Sequence, residues 1–355
     1  MKIISIETKK VELKLLRPFT VSLGVIKALP SLLIKMETED GYIGYGEASP
    51  ISFVTGETFE SVEAAIKAMS TQLIGMDSSC IEKIHDTMNR MFRENNCAKT
   101  GIDIAIFDIL AKRANLPLYK YLGGSKSSFE VDKTISIGTN EEMALDAKTI
   151  KEDGFNIVKV KLGLDPADDI ERIRSIREAI GPEMKIRIDA NQGWNKVDAI
   201  RVINALEKYN IQAIEQPLKY WDLEGHRIVK EKTMIPLMAD ESLFSPMDAI
   251  KIIKSNSFDI FNIKLMKCAG LHNAIKINSI GEAAGYECMV GCMLESNIGI
   301  TAAASFIAGK TNVTFADIDS VLHIHKPEGI TGGVEFKDGK AYLSEKPGLG
   351  IEVQW

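Results

Sequence analysis

From about Thr134 onward, short β-rich runs alternate with segments whose apolar residues return at helical spacing. The segment after Pro166 shows the helical half of the pattern: Ile170, Ile173, Ile176 and Ile180 share one face, and Gly181-Pro182 stops the run. The β-rich runs end near Thr134, Lys161, Asp189, Glu215, Asp240, Lys264, Cys292 and Asp317, so strand ends recur every 24 to 28 residues. Eight strands at one period, with helices between them, predict a parallel barrel. A doubly wound open sheet would share the rhythm, but its glycine-rich phosphate fingerprint after the first strand is absent. Beyond Asp319 only turns and short strands are expected, at Gly332-Gly333, Asp338-Gly339 and Pro347-Gly348, with no eighth helix. The expected fold is therefore a modified TIM-type (β/α)7β barrel.

Residues 1–124 follow another pattern. Strand-like runs over Ile3 to Leu15 and Ser31 to Glu37 and a turn at Asp40-Gly41 lead into helices. Thr58 is placed to cap one, carrying Val62, Ala65, Ile66, Met69 and Leu73, and Ile102, Ala105, Ile106, Ile109 and Leu110 mark another. An α+β capping domain over 1–124 is expected, joined by the Gly123-to-Ser128 linker to a barrel over 125–320, with 321–355 returning to the cap.

Composition narrows the class. Of 355 residues, 45% are hydrophobic and 26% charged, which excludes a disordered or disulfide-scaffold chain. Lys and Arg number 43 against 49 Asp and Glu, a net charge of −6 without a run of like charges, which argues against nucleic acid and anionic membrane as partners. Five cysteines, Cys80, Cys97, Cys268, Cys288 and Cys292, form no C-x-x-C pair and point to a reducing, cytoplasmic setting. The opening MKIISIETKKVELKL alternates like a strand and lacks a signal-peptide core. The longest mainly apolar stretch, Ile300 to Ala308, falls short of the roughly 20 residues of a membrane helix. A small-molecule partner is expected, and a homo-oligomer is left open.

Barrel active sites lie at the C-terminal strand ends, so charges that end apolar runs matter most. Asp189, Glu215 and Asp240 end three consecutive strands. A single strand-terminal acid is as readily a helix N-cap or an ion-pair partner; three in succession converge and repel unless a cation lies between them, and an all-oxygen set suits Mg²⁺. In Ile157-Val158-Lys159-Val160-Lys161 two lysines share one face of an otherwise apolar strand. Desolvation and like-charge proximity are expected to lower a lysine pKa there and make Lys161 a base. Lys264 ends strand six, diametrically opposite strand two. Two bases facing each other across a metal suit removal of a proton α to a carboxylate and its return on the other face.

The K-V-K of Lys159 to Lys161, D-A-N of Asp189 to Asn191, E-Q-P of Glu215 to Pro217, A-D-E-S of Ala239 to Ser242 and N-I-K of Asn262 to Lys264 resemble the muconate lactonizing subgroup of the enolase superfamily, as does the P-L-Y-K-Y-L-G-G of Pro117 to Gly124. The resemblance covers essentially the whole chain. It implies Mg²⁺ on Asp189, Glu215 and Asp240, acid/base roles for Lys161 and Lys264 through a metal-stabilised enediolate, and Lys159 at the substrate carboxylate. Muconate cycloisomerases, o-succinylbenzoate synthases, N-acylamino acid racemases and dipeptide epimerases share these residues. Asp317 and Asp319 put two carboxylates on one face at the barrel mouth, suited to an ammonium. That D-x-D resembles the dipeptide epimerases, where it binds the free amino group; by the same likeness Thr134, Asn191 and the backbone at Cys292 line the substrate.

Alanylglutamate epimerases present an arginine where this chain aligns Gly24, with Lys27 three residues on. With Phe19, Ile26, Ile51, Phe53 and Ile298 expected near the pocket, in loops around Phe19 to Lys27 and Ile51 to Thr55, the resemblance implies a hydrophobic or aromatic dipeptide. His323 and His325 read as surface histidines, Cys288 and Cys292 as packing residues, and Glu295 as a support behind the site. A cation- or amine-binding barrel without catalysis leaves the paired lysines unexplained, and a metal-free Schiff-base aldolase leaves the three acids unexplained.

Overall fold

A computed structural model describes residues 1–355 apart from the side chain of Lys27, so that candidate cation lies outside the described residues. Strands Lys133–Ile135, Ile157–Lys161, Lys185–Asp189, Ile211–Glu215, Leu237–Ala239, Ile260–Lys264, Glu287–Gly291 and Val313–Asp317 pair in parallel in chain order. Seven long helices link them, and the last strand runs into a single 3₁₀ turn, Ser320–Leu322. This is the expected (β/α)7β barrel. The helix Pro166–Ile180 begins on an Asp165 N-cap and stops at Gly181, as its pattern requires.

The barrel is nearly closed. No ladder joins the first strand to the last; the seam is bridged by the Asp132 amide donating to the Ala316 carbonyl at 3.4 Å and the Thr134 amide donating to Asp319 Oδ2 at 2.6 Å. Inside the barrel, Arg187 donates to Asp132 and Gln212, each at 2.8 Å, and lies over the Phe315 ring. Ala213, Met238, Ile260 and Met289 fill the space beside it. The interior is thus apolar or internally paired away from the mouth, which confines exposed chemistry to the C-terminal strand ends.

The capping residues form an antiparallel sheet of Ile3–Val21, Gly24–Thr38 and Ile43–Ala48, backed by helices Phe59–Leu73, Ile81–Met91 and Asn96–Arg113. Thr58 caps the first helix in a capping box with Ser61. At Gly46 a Cβ would collide with the Gly101 carbonyl oxygen, so the third strand lies directly on its helix because no side chain intervenes. Two expectations need correction. Phe19 to Lys27 is the end of a β-hairpin rather than a loop, with Phe19 paired to Ile26 and Val21 to Gly24. Ser52–Thr55 is a single helical turn.

The Gly123-to-Ser128 connection is a packed corner, since a Cβ on Gly124 would meet the Ala308 carbonyl oxygen. The tail touches both parts. Ile324 bridges to Leu15 and Gly348 to Pro117 in the cap, while Lys340–Tyr342 pairs with Ser128–Glu130 ahead of the first barrel strand. No helix among the described residues is long and apolar enough to cross a membrane.

Candidate active site at the barrel mouth

Asp189 and Glu215 are register partners at the ends of adjacent strands, and Asp240 directly follows the next. All three are buried, and each offers an oxygen within 4.8 Å of the others. Every carboxylate is held by a separate donor. The Asn191 amide donates to Asp189 Oδ1 at 2.9 Å, Asn262 Nδ2 donates to Glu215 Oε1 at 2.8 Å, and Lys267 donates to the Asp240 side chain and carbonyl. Gln216 joins the two loops: its Oε1 accepts from the Asp240 and Ser242 amides, and its Nε2 donates to Ser242 Oγ. Asn191 and Gln216 stand at φ 40° and 38°, a left-handed strain of roughly 1–3 kcal/mol each that the surrounding bonds sustain. The all-oxygen, preoriented set fits a hard divalent cation.

The charges lean on one another. Burial alone would raise the Asp189 carboxyl, but the Lys161 and Lys159 ammonium groups hold it below the usual carboxylate range. At Asp240 burial is likewise outweighed, by Lys264 and Lys267. Glu215 goes the other way: burial and then the Asp189 charge push it well above its ordinary value. Three acids this close cannot all ionise freely without a shared positive charge.

Lys161 donates to Asp189 Oδ2 at 2.6 Å and Lys264 to Asp240 Oδ2 at 2.7 Å. Both line one cleft between barrel and hairpin, together with Thr134, Asn191, Cys292, Asp317 and Asp319. Leu15, Phe19, Val21, Leu23, Ile26, Ile51 and Phe53 of the cap close the other side, and Ser22 Oγ donates to the Asn191 carbonyl at 2.8 Å where the hairpin tip meets the barrel. The capping strand is also anchored at Glu47, which accepts from the Ser296 and Gly299 amides at the start of helix Asn297–Gly309.

Several expectations change. Lys159 does not line the cleft; its Nζ lies 2.6 Å from Asp317, 2.7 Å from Glu215 and 3.2 Å from Asp189, bridging the two acidic sets from below. Desolvation does act to lower its pKa, but the surrounding carboxylates, Asp317 first, raise it well above the ordinary lysine value. At Lys264 the same contest, led by Asp240, also ends above it. Like-charge depression therefore loses to the acids. Gly24 is set back at the hairpin turn with open space around it, and Ile298 is a fully buried core residue.

His323 is no surface residue: it lines the cleft and its Nε2 is 2.8 Å from Asp319 Oδ2. Asp319 does not cap the 3₁₀ turn that follows it. Glu295 is buried, accepts from the Met293 amide, and is pushed up to about 8 by burial and Glu47. Burial and Asp317 push the Cys292 thiol well above its ordinary value, and Cys288 packs beneath Gly281, so neither is an activated nucleophile. Lys267 and Gln216 were missed, although one follows Lys264 by a helical turn and the other stands inside the E-Q-P motif.

Residues 3–123 match the mandelate racemase / muconate lactonizing enzyme N-terminal domain, and residues 142–355 the enolase C-terminal domain-like family. A hydrophobic dipeptide epimerase of Enterococcus faecalis is 42% identical over 353 residues, 99% of each chain. A dipeptide epimerase from Enterococcus faecalis solved with Mg and L-Leu-L-Tyr superposes with a TM-score of 0.97 at 42% identity, over 99% of this chain and 100% of that one. The substrate-liganded L-Ala-D/L-Glu epimerase of Bacillus subtilis does so with a TM-score of 0.97 at 39% identity, over 99% of each. With both halves of the chain matched and the acids at three adjacent strand ends, the protein belongs to the enolase superfamily, in its mandelate racemase / muconate lactonizing enzyme group.

Proposed function

We propose that this chain is a Mg²⁺-dependent dipeptide epimerase that inverts the Cα of the C-terminal residue of an L,L-dipeptide. The observation that carries the reading is one cleft lined by two lysines from opposed strands and by the Asp317/Asp319 pair. An ammonium at the aspartates fixes the amino end, which leaves the C-terminal Cα to the lysines. One lysine, as the amine, accepts the Cα proton; the other, as the ammonium, delivers a proton to the opposite face, and the two exchange roles for the reverse reaction. Mg²⁺, held by Asp189, Glu215 and Asp240, supplies positive charge that stabilises the negative charge building on the substrate carboxylate and offsets the anionic field that keeps Lys264 protonated.

The side-chain preference follows from the cap. Its contribution to the cleft is apolar, and among the described residues the cleft's only lysines or arginines are Lys161 and Lys264. Burying a large apolar side chain there contributes about 1.5–3 kcal/mol, whereas a carboxylate finds no cation of its own among the described residues. A hydrophobic or aromatic C-terminal residue is therefore preferred. The five thiols, all unpaired, fit a cytoplasmic enzyme acting on a small molecule.

The test is kcat/KM for L-Ala-L-Phe, L-Ala-L-Tyr and L-Ala-L-Glu, with deuterium gain at Cα as readout. The aromatic peptides should lead by roughly tenfold or more. A lead for the glutamate peptide would overturn the side-chain reading, and no exchange with any dipeptide would overturn the epimerase itself.

A further inference from the structure

The epimerase reading leaves His323 without a task, although it stands at the amino end of the cleft. Both hydrogen bonds to Asp319, from the Thr134 amide at 2.6 Å and from His323 Nε2 at 2.8 Å, end on Oδ2. An imidazole nitrogen facing a carboxylate must carry a hydrogen, so Nε2 is the donor. Oδ1 is thereby left for the cleft. Burial pushes the Asp319 carboxyl up, and His323 with Thr134 outweighs it, bringing it to about 2.

His323 is itself held by the capping strand. The Leu16 amide donates to the His323 carbonyl, the His325 amide donates to the Lys14 carbonyl, both at 2.8 Å, and Ile324 bridges to Leu15. Its ring meets Phe19 edge-on, with centroids 5.4 Å apart. The 3₁₀ turn Ser320–Leu322 folds the chain so that residue 323 faces residue 319. One side chain therefore touches the barrel's acid, the cap's aromatic and the cleft.

We propose that His323 is a positioning residue for the substrate's amino end: it presents Asp319 Oδ1 to the ammonium and ties that anchor to the capping hairpin. The inference rests on the dipeptide reading above. A charge-assisted hydrogen bond that orients a carboxylate is worth roughly a tenfold effect on binding.

The experiment compares L-Ala-L-Phe with N-propionyl-L-phenylalanine, which keeps the shape and lacks the amine, used as substrate or competitive inhibitor. His323→Leu should raise KM for the dipeptide roughly tenfold with kcat within about threefold, and leave the propionyl compound within twofold. His323→Gln, which keeps a donor, should recover most of the loss. In an Asp319→Asn background His323→Leu should add nothing. Equal losses for both ligands would mean a merely structural role, and an unchanged dipeptide KM would also overturn the proposal. If the unsubstituted enzyme neither binds nor epimerises any dipeptide, the epimerase reading fails and the anchor with it; if it does and KM stands still, only the anchor fails.

Discussion

The barrel side of the cleft is a web of paired acids, lysines and an amide. Asp189 leans on Lys161, Asp240 on Lys264 and Lys267, and Glu215 on Asn262 and Lys159, so that no member can be removed without stranding another. The cap side is assembled from Phe19, Val21, Leu23, Ile26 and Ile51, which interact by contact area alone. Charge networks demand fixed geometry, and apolar walls tolerate exchange at a cost proportional to area. On the proposed function, the chemistry is therefore locked into the barrel, and substrate choice falls where substitutions are cheapest.

That contrast breaks most severely at the acids. Asp240→Asn, or exhaustive EDTA treatment, should reduce turnover by roughly 10³-fold or more, since several kcal/mol of charge stabilisation are lost. Full activity after chelation and desalting would contradict it. Next come the bases: Lys161→Ala and Lys264→Ala should each slow epimerisation by about 10²–10⁴-fold, measured from either epimer, and a wild-type rate in one would end the two-base assignment. On the apolar side, Ile26→Ala should lower kcat/KM for L-Ala-L-Phe by roughly tenfold, mainly through KM, while L-Ala-L-Ala changes little. A comparable loss in kcat for both peptides would mean that the cap also shapes the chemistry.

A last effect concerns stability, not turnover. His226 accepts the Leu218 amide on Nε2 at 3.3 Å, next to the Gln216 clamp, and burial pushes it down to about 4. An unfolded histidine titrates near 6.5, so between these values only the unfolded chain takes the proton. The stabilisation is present above pH 6.5 and is lost as pH falls towards 4, by about 3 kcal/mol at most. The urea midpoint should fall less between pH 7 and pH 4.5 for His226→Gln than for the unsubstituted protein, and an equal fall would contradict this.

The strand ends and the acids were legible because a buried charge that terminates an apolar run is rare, and because the 24- to 28-residue spacing repeats. The hairpin was not: a loop is expected around Phe19 to Lys27, yet Leu15 and Leu16 leave the ladder between Lys14 and Phe19 to pair with the 323–325 segment, and the strand continues. His323 was hidden although its partner Asp319 is only four residues away, because the Phe19 ring and the capping strand that bury it lie some 300 positions off. Ile298 was misplaced because apolar residues beside a motif read alike whether they face a cleft or a core. Lysine pKa directions depended on how many carboxylates surround each ammonium, which spacing along one strand does not reveal.

The barrel's seam sets an order of assembly. The three acids lie within one stretch from Asp189 to Asp240, on strands that pair as neighbours, so that part of the site forms from contacts of modest loop length. The bond between the Thr134 amide and Asp319 joins residues 185 positions apart and exists only when the first and last strands meet. A contact across so long a loop carries a larger closure entropy than one between neighbouring strands. On the proposed roles, the acids that would hold the metal need only local pairing, whereas the amino-end anchor at Asp319 needs the ring closed, so ammonium recognition would report closure of the barrel.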